Sequence, residues 1–152
     1  MGTKINLTAS DGVTISAYRA DPVGKPRGGL VVCQEIFGVN PHIRSVCDRY
    51  AQEGYLAVAP AFFDRVQADV ELGYEPDDIN KGKEFMQKIS IDTALKDVAA
   101  AIAVASEAGK VGIVGYCWGG TIAWAAAGSL DGLSASIPYY GGGIAGIADR
   151  KP

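Results

Sequence analysis

The sequence is poor in the side chains that most often build metal centres. A single histidine, His42, occurs among 152 residues, which excludes zinc sites made from two or three imidazoles. Cysteine is also scarce: Cys33, Cys47 and Cys117 are odd in number and widely spaced, with no C-x-x-C pair. Neither a disulfide framework nor a metal knuckle is expected, and the three read as reduced thiols of a cytoplasmic protein. No sign of charge dominates, since 14 Lys and Arg face 17 Asp and Glu for a net charge of −3. A polybasic arm is excluded, and with it a nucleic-acid partner. Long apolar runs are missing too. The longest, Val98 to Ala105, is far shorter than the ~20 residues of a membrane span. The first residues carry no apolar signal stretch, so no membrane partner is expected.

Apolar residues make up 48% of the chain, and glycine, at 20 residues, is close to twice its ordinary share of about 7%. The length suits one domain. Lys4 to Thr8 and Val13 to Tyr18 alternate apolar and polar residues about Ser10-Asp11-Gly12, which predicts a β-hairpin. Leu30 to Cys33, Tyr55 to Ala59, Val111 to Val114 and Ala135 to Tyr139 read as further strands, the continuous apolar run of the first suiting burial on both faces. Between them lie helical patterns. One starts at Pro41 and carries Ile43, Val46, Cys47 and Tyr50 on one face. A second is capped by Ser90, with a stripe of Leu95, Val98, Ala99, Ile102, Val104 and Ala105. A third is the alanine-rich stretch Thr121 to Ala127. Phe62 to Asn80 is acidic and irregular and reads as a surface excursion. This order predicts an α/β fold: a mostly parallel sheet with flanking helices and an N-terminal hairpin. Ligands of such sheets bind at the carboxyl ends of the strands.

Two strand ends carry chemistry. Gly115-Tyr116-Cys117-Trp118-Gly119-Gly120 follows a strand and opens a helix, the setting of a nucleophile elbow with Cys in place of Ser. The helix N-terminus there favours a thiolate or an oxyanion. Gln34-Glu35-Ile36-Phe37-Gly38 ends the first parallel strand. An acyl-transfer site needs two N–H donors for the developing oxyanion. The backbone of Trp118, after the nucleophile, and of Ile36, after the early strand, are the candidates. Glu35 reads equally as a salt-bridged surface residue or as a partner of Cys117.

These motifs, with Gly54-Tyr55-Leu56-Ala57-Val58-Ala59-Pro60 and Tyr139-Tyr140-Gly141, resemble the dienelactone hydrolase family, a branch of the α/β-hydrolases, from about Gly28 onward. The resemblance implies hydrolysis of small esters or lactones through a cysteine nucleophile and an acyl-enzyme, without a metal or other cofactor. It implies Cys117 as nucleophile and Glu35 as the group that holds the resting thiol and helps generate the thiolate. Ile36 and Trp118 would form the oxyanion hole, with Phe37 and Tyr140 bordering the substrate pocket.

The sequence departs from that family in three respects. The family's triad runs nucleophile, Asp, His, yet only Asp131 and Asp149 follow Cys117, and no histidine does. His42 falls at the start of a crossover helix, where a structural role is expected. The triad Asp and His are therefore expected beyond residue 152. The chain is read as a single, C-terminally partial α/β-hydrolase domain over residues 1–152, of very weak activity alone, and as a monomer or homodimer whose open sheet edge favours association. Finally, the excursion is followed by Lys81, Lys83 and Lys88 with no Arg among them, so a carboxylate-bearing lactone is not secure as substrate. The glycines match neither G-x-G-x-x-G nor a P-loop, which argues against a nucleotide site. The competing reading is a non-catalytic degenerate hydrolase, or a thiol-based redox or binding protein.

Overall fold

A computed structural model describes residues 1–149. Arg150, Lys151 and Pro152, which with Asp149 read in the sequence as an exposed basic linker, lie outside the described residues. The hairpin forms as expected from strands β1 (Thr3–Thr8) and β2 (Thr14–Ala20), paired antiparallel with Thr8 opposite Thr14. Gly12 takes φ 82° in the turn, a conformation that suits glycine. Leu7, Ile15 and Ala17 point inwards and are buried.

Four further strands follow: β3 (Gly28–Cys33), β4 (Tyr55–Pro60), β5 (Val111–Tyr116) and β6 (Leu133–Tyr139). The sheet order is β1-β2-β4-β3-β5-β6. β2 runs antiparallel to β4, while β4, β3, β5 and β6 are mutually parallel. Their carboxyl ends therefore share one rim of the sheet.

Helix α1 (Pro41–Gln52) begins where Asn40 caps it, its side chain accepting from the Ile43 N–H at 3.1 Å, with Pro41 in the first turn. Ile43, Val46 and Cys47 are buried against one sheet face with Ala57, Ala59 and Val114. The other face carries α3 (Ile91–Ala105), capped by Ser90, and α4 (Trp118–Ser129). Leu95, Val98 and Ile102 of the expected stripe are buried there, but Ala99 is exposed; fully buried Ala101 and Asp97 share the inward face instead.

One reading of the sequence needs correction. The stretch Phe62 to Asn80 is not a featureless surface excursion. Phe62 and Phe63 are buried in a 3₁₀ turn, and helix α2 (Pro76–Gln87) starts inside it. The start signal was present: Pro76 in the first turn, and a capping box between Glu75 and Asp78. Its inward face has only Gly82 and Phe85 buried, too little for an apolar period to show. β6 lies at the sheet edge, as the open edge expected from the sequence implies: among the described residues β5 is its one strand neighbour, and Ile137 and Tyr139 are each 47% exposed.

Candidate active site

Cys117 stands alone between β5 and α4, at φ 57° and ψ −121°. This backbone region strains a residue with a side chain, typically by 1–3 kcal/mol on an order-of-magnitude scale. Three glycines make the turn sterically feasible. A Cβ on Gly115 would collide with the Gly119 carbonyl oxygen. One on Gly119 would strike the carbonyl oxygens of Cys33 and Gln34, and one on Gly120 that of Tyr139. The first turn of α4 thus lies against the carboxyl ends of both β3 and β6. The Cys117 N–H donates to the Tyr139 carbonyl at 3.1 Å, and its own carbonyl accepts from Gly120 N–H at 2.9 Å. Cys117 is partly exposed, whereas Cys33 and Cys47 are buried. Helix α4 starts at Trp118, three residues before the Thr121 start of the sequence reading. The Trp118 N–H consequently belongs to the first turn, where no intrahelical acceptor exists.

The close contact of Gly119 with the backbone of residues 33–34 brings the loop Gln34 to Gly38 beside the elbow. Gln34 is fully buried, and its Nε2 donates to the Glu35 carbonyl at 3.1 Å. Ile36 and Phe37 are buried, and Glu35 is half-buried. Gly38 has φ 80°, and a Cβ there would run into the Val70 carbonyl oxygen, so residues 70–72 pack closely on this loop. Gly82 of α2 makes a similarly close approach to the Ile36 carbonyl. The Glu35 carboxylate accepts its hydrogen bond from the Tyr74 hydroxyl at 2.9 Å, not from the Cys117 thiol.

Aromatic side chains surround this rim. Trp118 packs against Phe62 and Phe63, each with ring centroids 5.7 Å away, which fixes the start of α4 from below. The Phe37 ring meets Tyr74 edge-on at 4.6 Å. Tyr140, at φ 39°, is exposed beside Tyr116. Partial burial and then the charges of Glu35 and Cys117 push the Tyr140 hydroxyl upward, so both groups lie within electrostatic reach of Tyr140. Phe62, Phe63 and Tyr74 were not singled out in the sequence, because each lies in the segment read as an irregular excursion.

The remaining candidates stay apart from this cluster. His42 is exposed in the first turn of α1, and Asp131 and Asp149 are exposed. Lys81, Lys83 and Lys88 are exposed on or just after α2. Among the described residues no group of three or more His, Cys, Asp or Glu is arranged to hold a metal ion, and no helix is long and apolar enough to cross a membrane.

Comparison with known proteins bears on the same residues. A family model described as "Dienelactone hydrolase family" matches residues 15–151. The carboxymethylenebutenolidase of Pseudomonas putida is 34% identical over 149 residues, covering 92% of this chain and 61% of its own length. A Synechocystis protein named "Putative carboxymethylenebutenolidase" is 40% identical over 148 residues, covering 93% and 60% respectively. A crystal structure of a "Putative Dienelactone Hydrolase" from Klebsiella pneumoniae superposes with a TM-score of 0.76 at 34% identity, covering 93% of this chain and 60% of that one. The chain thus spans about 60% of the length of these relatives.

Proposed function

This chain belongs to the dienelactone hydrolase family, and we propose that it carries the nucleophile and oxyanion-binding part of a hydrolase of small carboxylic esters or lactones. The observation that carries the proposal is Cys117 at a positive φ between strand and helix, a geometry that projects the side chain from the sheet rim at the head of a helix. The Cys117 thiolate attacks the substrate carbonyl carbon. The carbonyl π pair moves to oxygen, and the N–H groups of Ile36 and Trp118 receive that oxyanion. Collapse re-forms the C=O bond and breaks the C–O bond to the leaving alkoxide, leaving a thioester on Cys117. Water then attacks the thioester and returns the thiol and a carboxylic acid. Phe37 and Tyr140 border the acyl pocket. In a lactone the leaving alkoxide remains tethered to the acyl group.

No histidine follows Cys117 in the sequence, so in this reading the family's Asp and His lie beyond residue 152. In the 152-residue chain, thiolate formation rests on pH and the helix N-terminus, and water attack on the thioester has no side-chain base. Acylation should therefore outrun deacylation. The test is p-nitrophenyl acetate with the purified chain. A burst of one nitrophenolate per chain with slow turnover, and an acetyl mass increment on the peptide holding Cys117, support the reading. Absence of the adduct at pH 8.5 overturns it. A second reading, a thiol-reactive protein without hydrolase activity, is favoured by the same lack of histidine. It gives sulfenylation of Cys117 by peroxide with no ester adduct.

A further inference from the structure

Glu35 stands at the strand end near the elbow, and its one hydrogen-bond donor among the described residues comes from a distant loop. Its carboxylate accepts from the Tyr74 hydroxyl at 2.9 Å. Tyr74 is not a loose surface side chain despite being 52% exposed. Its ring rests edge-on against Phe37, and its hydroxyl accepts from Asn40 Nδ2 at 3.4 Å. The segment leading to it is strapped to the same loop. Leu72 N–H donates to the Phe37 carbonyl at 2.9 Å, and Asn40 Nδ2 donates to the Leu72 carbonyl at 3.3 Å. Asn40 is itself buried and caps α1. The donor is thus held by the helix start, the strand-end loop and an aromatic contact together.

We propose that Tyr74 is a positioning residue that latches the Glu35 carboxylate on the side of the loop preceding α2, leaving the Cys117 thiol free of that acceptor. The inference rests on the reading of Cys117 as the nucleophile. A neutral hydroxyl suits this task better than a guanidinium would. It holds the carboxylate in place without cancelling its charge, so Glu35 keeps the capacity to turn to the thiol. Burial and the Glu35 charge push the Tyr74 hydroxyl upward, so its proton stays on Tyr74. Tyr74 from the loop before α2 bonds Glu35, and Tyr140 after β6 feels the charges of both Glu35 and Cys117. Latched, Glu35 leaves the thiol able to ionise. Released, it accepts from the thiol and opposes the thiolate by like charge. The latch selects between a resting and a reactive cysteine.

The full chain can be tested without turnover, by iodoacetamide alkylation of Cys117 against pH with peptide mass spectrometry. Cys33 and Cys47 serve as internal controls for intact folding, since both are buried and burial pushes the Cys47 thiol up to about 12. Tyr74→Phe keeps the ring against Phe37 and removes the hydroxyl, and with it the bond to Glu35 and the long contact from Asn40 Nδ2. It should slow Cys117 alkylation at pH 8 by about threefold or more and move the midpoint upward, since half a pKa unit is a factor of about three in thiolate. Glu35→Gln should speed alkylation, and Tyr74→Phe added to it should change nothing. Carbon-13 titration of the Glu35 carboxyl should shift upward in Tyr74→Phe. A Tyr74→Phe profile superposing on wild type, an equal slowing in the Glu35→Gln background, or an unmoved Glu35 titration would each overturn the proposal. The two readings fail separately: an ester adduct with a flat Tyr74→Phe profile removes the latch alone. A full alkylation cycle without any ester adduct removes the hydrolase reading and leaves the latch.

Discussion

The Cys117 N–H donates to the carbonyl oxygen of Tyr139 at 3.1 Å. That bond ties the turn between β5 and α4 to the end of the neighbouring strand and helps hold Cys117 in its strained conformation. The strain is localised at one residue, so it can be measured by substitution there.

Cys117→Gly should be more stable than Cys117→Ala. Alanine inherits the clash of a Cβ at φ 57°, while glycine relieves it and gives back part in backbone entropy, for a net difference of about 1 kcal/mol. Urea unfolding of the two variants measures it. An alanine variant as stable as the glycine one would remove strain from the account of the elbow.

Gly115→Ala should destabilise by about 1–3 kcal/mol or more, the usual range for overpacking a close-packed site. The added Cβ meets a backbone carbonyl, that of Gly119, which cannot rotate away. If the turn gives instead of unfolding, Cys117 moves, and acylation by p-nitrophenyl acetate drops while the urea midpoint holds. Unchanged stability together with unchanged acylation would contradict the packing.

Arg65 forms a two-point clamp on Asp97, Nε to Oδ2 and Nη2 to Oδ1, both at 2.8 Å, and reaches on to Asp11. The Asp97 side chain is wholly buried in α3 and joins that helix to the 3₁₀ turn holding Phe62 and Phe63. Asp97→Ala leaves the guanidinium without its buried partner and should cost about 3–5 kcal/mol. Thermal or urea unfolding reads the loss; a change below 1 kcal/mol would be inconsistent with a buried pair.

Asp11 is held at about 2 by its hydrogen bond to Arg65, against an ordinary value of 3.8. A carboxyl lowered by folding stabilises the fold above its unfolded value, and that stabilisation disappears as pH falls through the folded one. The stability gap between wild type and Asp11→Asn should therefore be full above about pH 5 and close between about pH 4 and 2. Asp97 has the opposite sign, raised chiefly by burial, so the comparison is made with Asp97 intact in both proteins. A gap that widened towards pH 2 would refute the assignment.

The family resemblance was legible because its motifs are local. The elbow needs glycines at fixed positions around Cys117, the hairpin needs Gly12, and α1 needs Asn40 before Pro41; each is a short-range steric or hydrogen-bonding demand written in consecutive residues. The buried strands were legible for a similar reason, since a strand covered on both faces reads as a continuous apolar run. Helix α2 was missed because its packing relies on Gly82, whose lack of a side chain lets the helix approach the Ile36 carbonyl. A missing side chain leaves no mark in an apolar period.

By itself the sequence determined the strand–turn–helix around Cys117, the loop that follows β3 and the alternation that builds the sheet. Only the tertiary structure decided that Glu35 bonds Tyr74, 39 residues away, and that Arg65 is matched to Asp97. Local motifs arise from backbone sterics and nearest-neighbour capping, which a few adjacent residues specify. The partner of a buried or half-buried charge depends on how helices and loops from distant parts of the chain pack over the sheet, and no short-range pattern encodes that.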